Sequence, residues 1–163
     1  MKKVLVVMGS DSDLKVMEKC VDRLKSFDIP TEVRICSAHR TPATAEQLAK
    51  NAAAEGFGVI IAAAGKAAHL GGVLAAYTTL PVIGVPMATS VMGGMDSLLS
   101  IVQMPKGIPV ATVAIDGADN AAILAAQMIA LSDDALAQKL AQFKADMAAE
   151  VTAKGEKVRA QFA

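Results

Sequence analysis

The sequence predicts a three-layer α/β/α sandwich built on a parallel sheet, and two observations predict it. Five short apolar runs alternate with segments of helical periodicity along the chain. The first run, Val4 to Met8, is continuous rather than alternating, which fits a strand covered on both faces. Strand–helix alternation implies parallel pairing through right-handed crossovers, with helices on both sides of the sheet.

Val4 to Met8 forms the first strand, and Leu14, Met17, Val21 and Leu24 follow at helical spacing with Asp11 or Ser12 as cap. Thr31 to Cys36 is the second strand, with Val33 and Ile35 as its apolar positions. Pro42 suits the first turn of a helix capped by Thr41 and running to about Gly56. Gly58 to Ala64 is the third strand, followed by a small-residue helix from Ala67 to Tyr77. Pro81 to Val85 is the fourth strand, and a Gly- and Met-rich loop leads from it into a helix holding Leu98, Leu99 and Val102. Val110 to Ile115 is the fifth strand, and Asn120 to Leu131 the next helix. From Asp133 onward the pattern is one long helix, to about residue 160, striped by Leu136, Leu140, Phe143, Met147 and Val151. The 163 residues read as a single domain with its core in residues 1–131.

Composition narrows the function. Hydrophobic residues make up 53% and charged residues 20%, which calls for a packed core. Lys+Arg and Asp+Glu both number 16, so no global field draws the chain to nucleic acid or an anionic membrane. With no Trp and one Tyr it also lacks stacking surfaces for bases. A mean hydropathy of +0.43 is high for a small domain. The longest apolar stretch, Val59 to Tyr77, is broken by Lys66 and His69, so subunit interfaces are the expected outlet rather than a membrane. Met1-Lys2-Lys3 before an apolar run superficially resembles a signal peptide, but the run is too short and no cleavage pattern follows. Cys20 and Cys36 lack metal or redox spacing and read as buried thiols of a reducing cytoplasm. No Cys/His cluster with metal spacing is present.

In parallel sheets ligands bind beyond the carboxyl ends of the strands, so the loops after Met8, Cys36, Ala64 and Val85 carry the functional expectation. The first reads Gly9-Ser10-Asp11-Ser12-Asp13. Backbone donors and two hydroxyls at a helix start can cradle a phosphate, and Asp13 can accept from ribose hydroxyls. The same residues are ordinary helix caps, so this loop alone leaves both readings open. The second, Ser37-Ala38-His39-Arg40-Thr41-Pro42, joins a proton carrier to a planar anion clamp. The third, Gly65-Lys66-Ala67-Ala68-His69-Leu70, is small enough to bring backbone donors against a carboxylate. His69 is either a site residue or a helix-start filler, and Lys66 either a site cation or a surface charge. The fourth, Pro86 to Met95, is rich in Gly and hydroxyls and suits either closure over a ligand or a subunit contact.

Gly9 to Asp13, Ser37 to Pro42, Ala67-Ala68-His69-Leu70 and Met95-Asp96-Ser97-Leu98-Leu99-Ser100-Ile101-Val102-Gln103-Met104-Pro105, with Asn120-Ala121-Ala122, resemble the N5-carboxyaminoimidazole ribonucleotide mutase family over about residues 3 to 131. The resemblance implies a flavodoxin-like fold and a cytoplasmic homo-octamer acting on a small ribonucleotide with no metal or organic cofactor. The implied reaction moves a carboxyl group from the exocyclic amine to C4 of the imidazole. Ser10, Ser12 and Arg40 would hold the 5′-phosphate and Asp13 the ribose. Ser37, Ala38 and His39 would line the base, with His39 as general acid and base. Gly65, Ala67, Ala68, His69 and Leu70 would shape the pocket that keeps CO2. The chain departs from the usual pattern at Ala63, Lys66 and Gly71, where the family has Gly, Gly and Pro. Related carboxylases that use free CO2 carry a basic residue near the place of Lys66, whereas Arg40 and Ala67-Ala68-His69 follow the mutase pattern. A free-CO2 carboxylase and a non-catalytic nucleotide-binding module are the competing readings.

Overall fold

A computed structural model describes all of residues 1–163. Its elements run β1 (Lys3–Met8), α1 (Leu14–Ser26), β2 (Thr31–Ile35), α2 (Pro42–Ala52), β3 (Phe57–Ala64), α3 (Leu70–Tyr77), β4 (Val82–Pro86), α4 (Met95–Val102), β5 (Ala111–Thr112), α5 (Ala118–Ala130) and α6 (Asp134–Gln161). All strand pairs are parallel, in the order β2-β1-β3-β4-β5. This is the flavodoxin-like order, and it reverses direction between β1 and β3. The loops after those two strands therefore diverge and leave a crevice at the sheet's carboxyl edge.

Two cores lie on the two faces of the sheet. Val4, Val6 and Met8 of β1 and Val59, Ile61 and Ala63 of β3 point to one face, under α1, α5 and the start of α6. Leu5, Val7, Ile60, Ala62 and Ala64 point to the other, with Ala45, Ala49, Leu70 and Leu74 from α2 and α3. The period-2 alternation of strand side chains splits each apolar run between both cores. That is why the runs carry no polar positions. Cys20 lies in the first core and Cys36 in the second, both free. An Arg23–Asp119 ion pair of 2.8 Å ties α1 to α5.

Several boundaries differ from the sequence expectation. The first cap is Ser10, whose Oγ accepts from Ser12 N at 3.3 Å at the head of a 3-10 turn over Asp11–Asp13. Neither Asp11 nor Ser12 caps α1. Thr41 occupies the cap position of α2 without a capping bond; its hydroxyl donates to the Ser37 carbonyl at 2.9 Å instead. The helix it heads stops at Ala52, short of Gly56, and α3 begins only at Leu70, leaving Ala67, Ala68 and His69 in the loop. β5 is a two-residue strand rather than six, and β2 is an edge strand whose Val33 and Ile35 are 38% and 59% exposed. The α6 stripe is divided: Leu136 is fully buried, Leu140 and Phe143 are partly so, and Val151 is 69% exposed. Phe143 meets Phe27 edge-on at 5.5 Å, and the helix then runs past the body of the protein. No helix is long and apolar enough to cross a membrane.

Candidate active site

A cleft of about 700 Å³ opens at the carboxyl edge of the sheet, within the usual range for small-molecule sites. All four loops named from the sequence line it. Ser10, Ser12, Asp13, Ser37, Ala38, His39, Arg40, Gly65, Lys66, Ala67, His69 and Leu70 all reach its wall. Ala68 does not: it is 1% exposed and sits in the core beside Leu70. Gly9, Ala64 and Met87 to Ser90 line the cleft as well. The hydroxyl-rich composition of the fourth loop hinted at Thr89 and Ser90, whereas nothing in the sequence singled out Met87.

The first loop is pinned where β1 ends. Gly9 N donates to the Ala63 carbonyl of β3 at 2.9 Å. The chain then turns into its 3-10 turn, with the Ser10 and Ser12 hydroxyls donating to Asp11 and Asp13 at 3.2 and 3.3 Å. Asp13 is 9% exposed. Burial pushes its carboxyl above the usual range, and the nearby Asp116 and Asp11 charges add to this. Hydrogen bonds from Ser12 and Ser10 oppose it without cancelling it.

The second loop is self-bonded. Ser37 Oγ accepts from Arg40 N at 3.2 Å and from Arg40 Nε at 3.4 Å. Arg40 Nη2 reaches across to the Gly9 carbonyl at 3.4 Å. Arg40 makes no ion pair within the chain, so its charge is left for an anion.

The same loop sends His39 over the crevice to the third loop. His39 Nε2 lies 2.8 Å from His69 Nδ1, the rings crossing at 77° with centroids 4.9 Å apart. One nitrogen donates and the other accepts, so the bond holds a single proton between two imidazoles. Sequence reasoning put both histidines on ligand loops but could not join residues thirty positions apart. His69 sits at the cap position of α3, as a helix-start residue would, yet it makes no cap bond and its ring faces His39.

The fourth loop is clamped at its root. Ser97, fully buried, donates to the carbonyls of Met87 and Gly94 at 2.6 and 2.9 Å. Ala88 N donates to Asp116 Oδ1 at 2.9 Å, and Thr89 Oγ1 to Asp96 Oδ1 at 2.8 Å. Gly94 takes φ 98°, which lets the loop turn directly into α4.

The fold is shared with known proteins. The crystal structure of Treponema denticola PurE superposes with a TM-score of 0.87 at 30% identity, covering 94% of this chain and 96% of that one. The N5-carboxyaminoimidazole ribonucleotide mutase of Methanocaldococcus jannaschii is 52% identical over 159 residues, 98% of this chain and 99% of its own. The chloroplastic phosphoribosylaminoimidazole carboxylase of Vigna aconitifolia is 49% identical over 152 residues, but these are 27% of that longer protein. The model of the AIR carboxylase family matches residues 3–150, from the first strand into the last helix. With every cleft-forming loop inside that match, and half of all positions shared along the whole length of a relative, the chain belongs to the AIR carboxylase family.

Proposed function

We propose that the chain converts N5-carboxyaminoimidazole ribonucleotide to 4-carboxyaminoimidazole ribonucleotide in purine biosynthesis. The observation that carries this is the His39–His69 pair across the crevice, with an unpaired Arg40 beside it. Arg40, Ser10 and Ser12 hold the 5′-phosphate, and Asp13 accepts from the ribose. Ser37 and Ala38 flank the base, and Gly65, Ala67, His69 and Leu70 enclose the carboxyl end.

His39 gives a proton to the exocyclic nitrogen as its N–CO2 bond breaks, releasing CO2 and the electron-rich aminoimidazole. C4 attacks the retained CO2, forming the new C–C bond. His39 then takes the C4 proton and the ring regains aromaticity. The proton left on the amine nitrogen is balanced by the one taken from C4, no electrons change hands, and the sum is an isomerisation. Such proton transfer contributes on the order of 10²–10⁴-fold to rate. Holding CO2 beside C4 adds a proximity effect of up to about 7–11 kcal/mol. His69, bonded to His39 Nε2, fixes where that ring points.

Mutase is favoured over free-CO2 carboxylase by the full-length match to mutases, whereas the carboxylase relative shares only a quarter of its length. The test supplies aminoimidazole ribonucleotide with bicarbonate, or the N5-carboxylated form without it. Turnover of the second is expected; turnover of the first alone at modest CO2 overturns the mutase reading. His39→Asn is expected to bind nucleotide and lose at least about 10²-fold in turnover. Unchanged turnover would leave a binding module.

The chain works in the cytoplasm as a homo-oligomer, an octamer by its resemblance. An apolar stripe on α4 supports association: Met95, Leu99 and Val102 are 44%, 47% and 44% exposed. A stable monomer in light scattering at micromolar concentration overturns this.

A further inference from the structure

Lys66 stands out among the cleft residues because folding gives no reason for it. Only three residues other than glycine have a left-handed backbone: Asp28, Lys66 and Asp116, at φ 57°, 57° and 55°. Aspartate tolerates this region because its short side chain bonds nearby backbone or charge. Asp116 takes the Ala88 N–H, and Asp28 pairs with Lys139 at 2.6 Å. Lysine has no such local compensation. Lys66 is exposed, its carbonyl accepts from Ser100 Oγ at 3.4 Å, and its ammonium makes no ion pair. A strained backbone carrying an unpaired charge in a cleft points to a ligand.

The two free cations of the cleft stand apart along the sheet edge. Arg40 bridges the loops after β2 and β1, since its guanidinium reaches Gly9. Lys66 lies on the loop after β3, tied through Ser100 to α4 on the β4 side. Two strand spacings of about 4.8 Å separate those loop pairs, roughly 10 Å. A carboxylated mononucleotide also carries two anions, its phosphate and its carboxylate, with ribose and base between. Lys66 precedes His69 by three residues, so it belongs to the end where His39 and His69 meet.

We propose that Lys66 is a specificity residue whose ammonium holds the carboxylate of the carboxylated nucleotides, so that the site prefers them to the decarboxylated aminoimidazole. This rests on the reading of the cleft given above. The preference matters to the chemistry: a cation at that end keeps the departing carboxyl near C4 and binds the new C4 carboxylate.

The experiment measures binding of 4-carboxyaminoimidazole ribonucleotide and of aminoimidazole ribonucleotide to the wild type, Lys66→Met, Lys66→Arg and Lys66→Gly. The wild type is expected to prefer the carboxylated ligand. Lys66→Met and Lys66→Gly should weaken that ligand about tenfold, as loss of one charge-assisted contact does, and leave the other within about twofold. Lys66→Arg should restore most of the preference. Lys66→Gly removes the left-handed strain, so it folds even if Lys66→Met does not. Equal loss for both ligands, or no loss for either, overturns the role of Lys66 alone. Wild-type protein that binds neither nucleotide overturns the functional reading and this inference with it.

Discussion

Three of the four glycines with left-handed backbones allow the architecture of the fourth loop to be measured as a difference. Gly93 and Gly94 are adjacent at the end of that loop, with φ 62° and 98°, and Gly107 lies elsewhere at φ 100°. An alanine methyl at Gly93 or Gly107 meets nothing within 4 Å. At Gly94 it comes to 2.7 Å of Ile115 Cγ2 and 3.2 Å of Ala88 Cα. Gly93→Ala enters the ordinary left-handed basin and is expected to cost about 1 kcal/mol or less. Gly107→Ala is forced into a wider angle and should cost about 1–2 kcal/mol. Gly94→Ala carries the same strain plus an overpacking cost of about 1–3 kcal/mol, for a total of about 2–5 kcal/mol. Gains from a stiffer unfolded chain are alike in all three and cancel. Urea unfolding at constant slope gives the three values. Gly94→Ala should also lower kcat/KM, because Ala88 lines the cleft and must move a few tenths of an ångström; Gly93→Ala should leave it nearly unchanged. Equal destabilisation by Gly94→Ala and Gly107→Ala would refute the packing argument, and intact turnover in Gly94→Ala would refute the link from this turn to the cleft.

Two further outcomes follow from burial. Asp13 has its carboxyl raised in the folded state, so the folded protein holds that proton more tightly than the unfolded chain does. Its contribution to stability is therefore full below the ordinary carboxyl value of 3.8 and is lost as pH rises through the folded value. Asp13→Asn should raise the melting temperature at pH 7, raise it less under acid conditions, and weaken nucleotide binding; a lower melting temperature at pH 7 would show that the charge is stabilised after all. Leu136, fully buried at the start of α6, should cost about 2–5 kcal/mol when replaced by alanine, read by chemical denaturation. A cost under about 1 kcal/mol would mean that this helix docks independently of the core.

The parallel sheet was legible in the sequence, because a strand buried on both faces must be apolar along its buried length, as β1 is from Val4 to Met8 and β3 from Val59 to Ala64. So was the set of loops that line the cleft, since in such a sheet the strand ends and helix starts are fixed by chain order. His39, Arg40 and the Ser10–Asp13 turn were legible for that reason. Edges and ends were not. Val33 and Ile35 have strand composition but lie at the sheet's edge, and β5 pairs over only two residues. Exposure there depends on neighbours that periodicity does not encode. The stripe on α6 is regular through Val151, yet burial fades along it as the helix outruns the core.

How the site is joined is set by contacts distant in sequence. The 2.8 Å contact between His39 and His69, the reach of Arg40 to Gly9, and the bond from Ala88 to Asp116 each link different loops. Such links depend on strand order: β1 and β3 become neighbours because β2 is laid down on the far side of β1. The turn of Ala68 into the core and the left-handed backbone of Lys66 came from the same source. A local pattern can say that a residue stands on a ligand loop. Which way its side chain points is settled by what the rest of the chain packs against it.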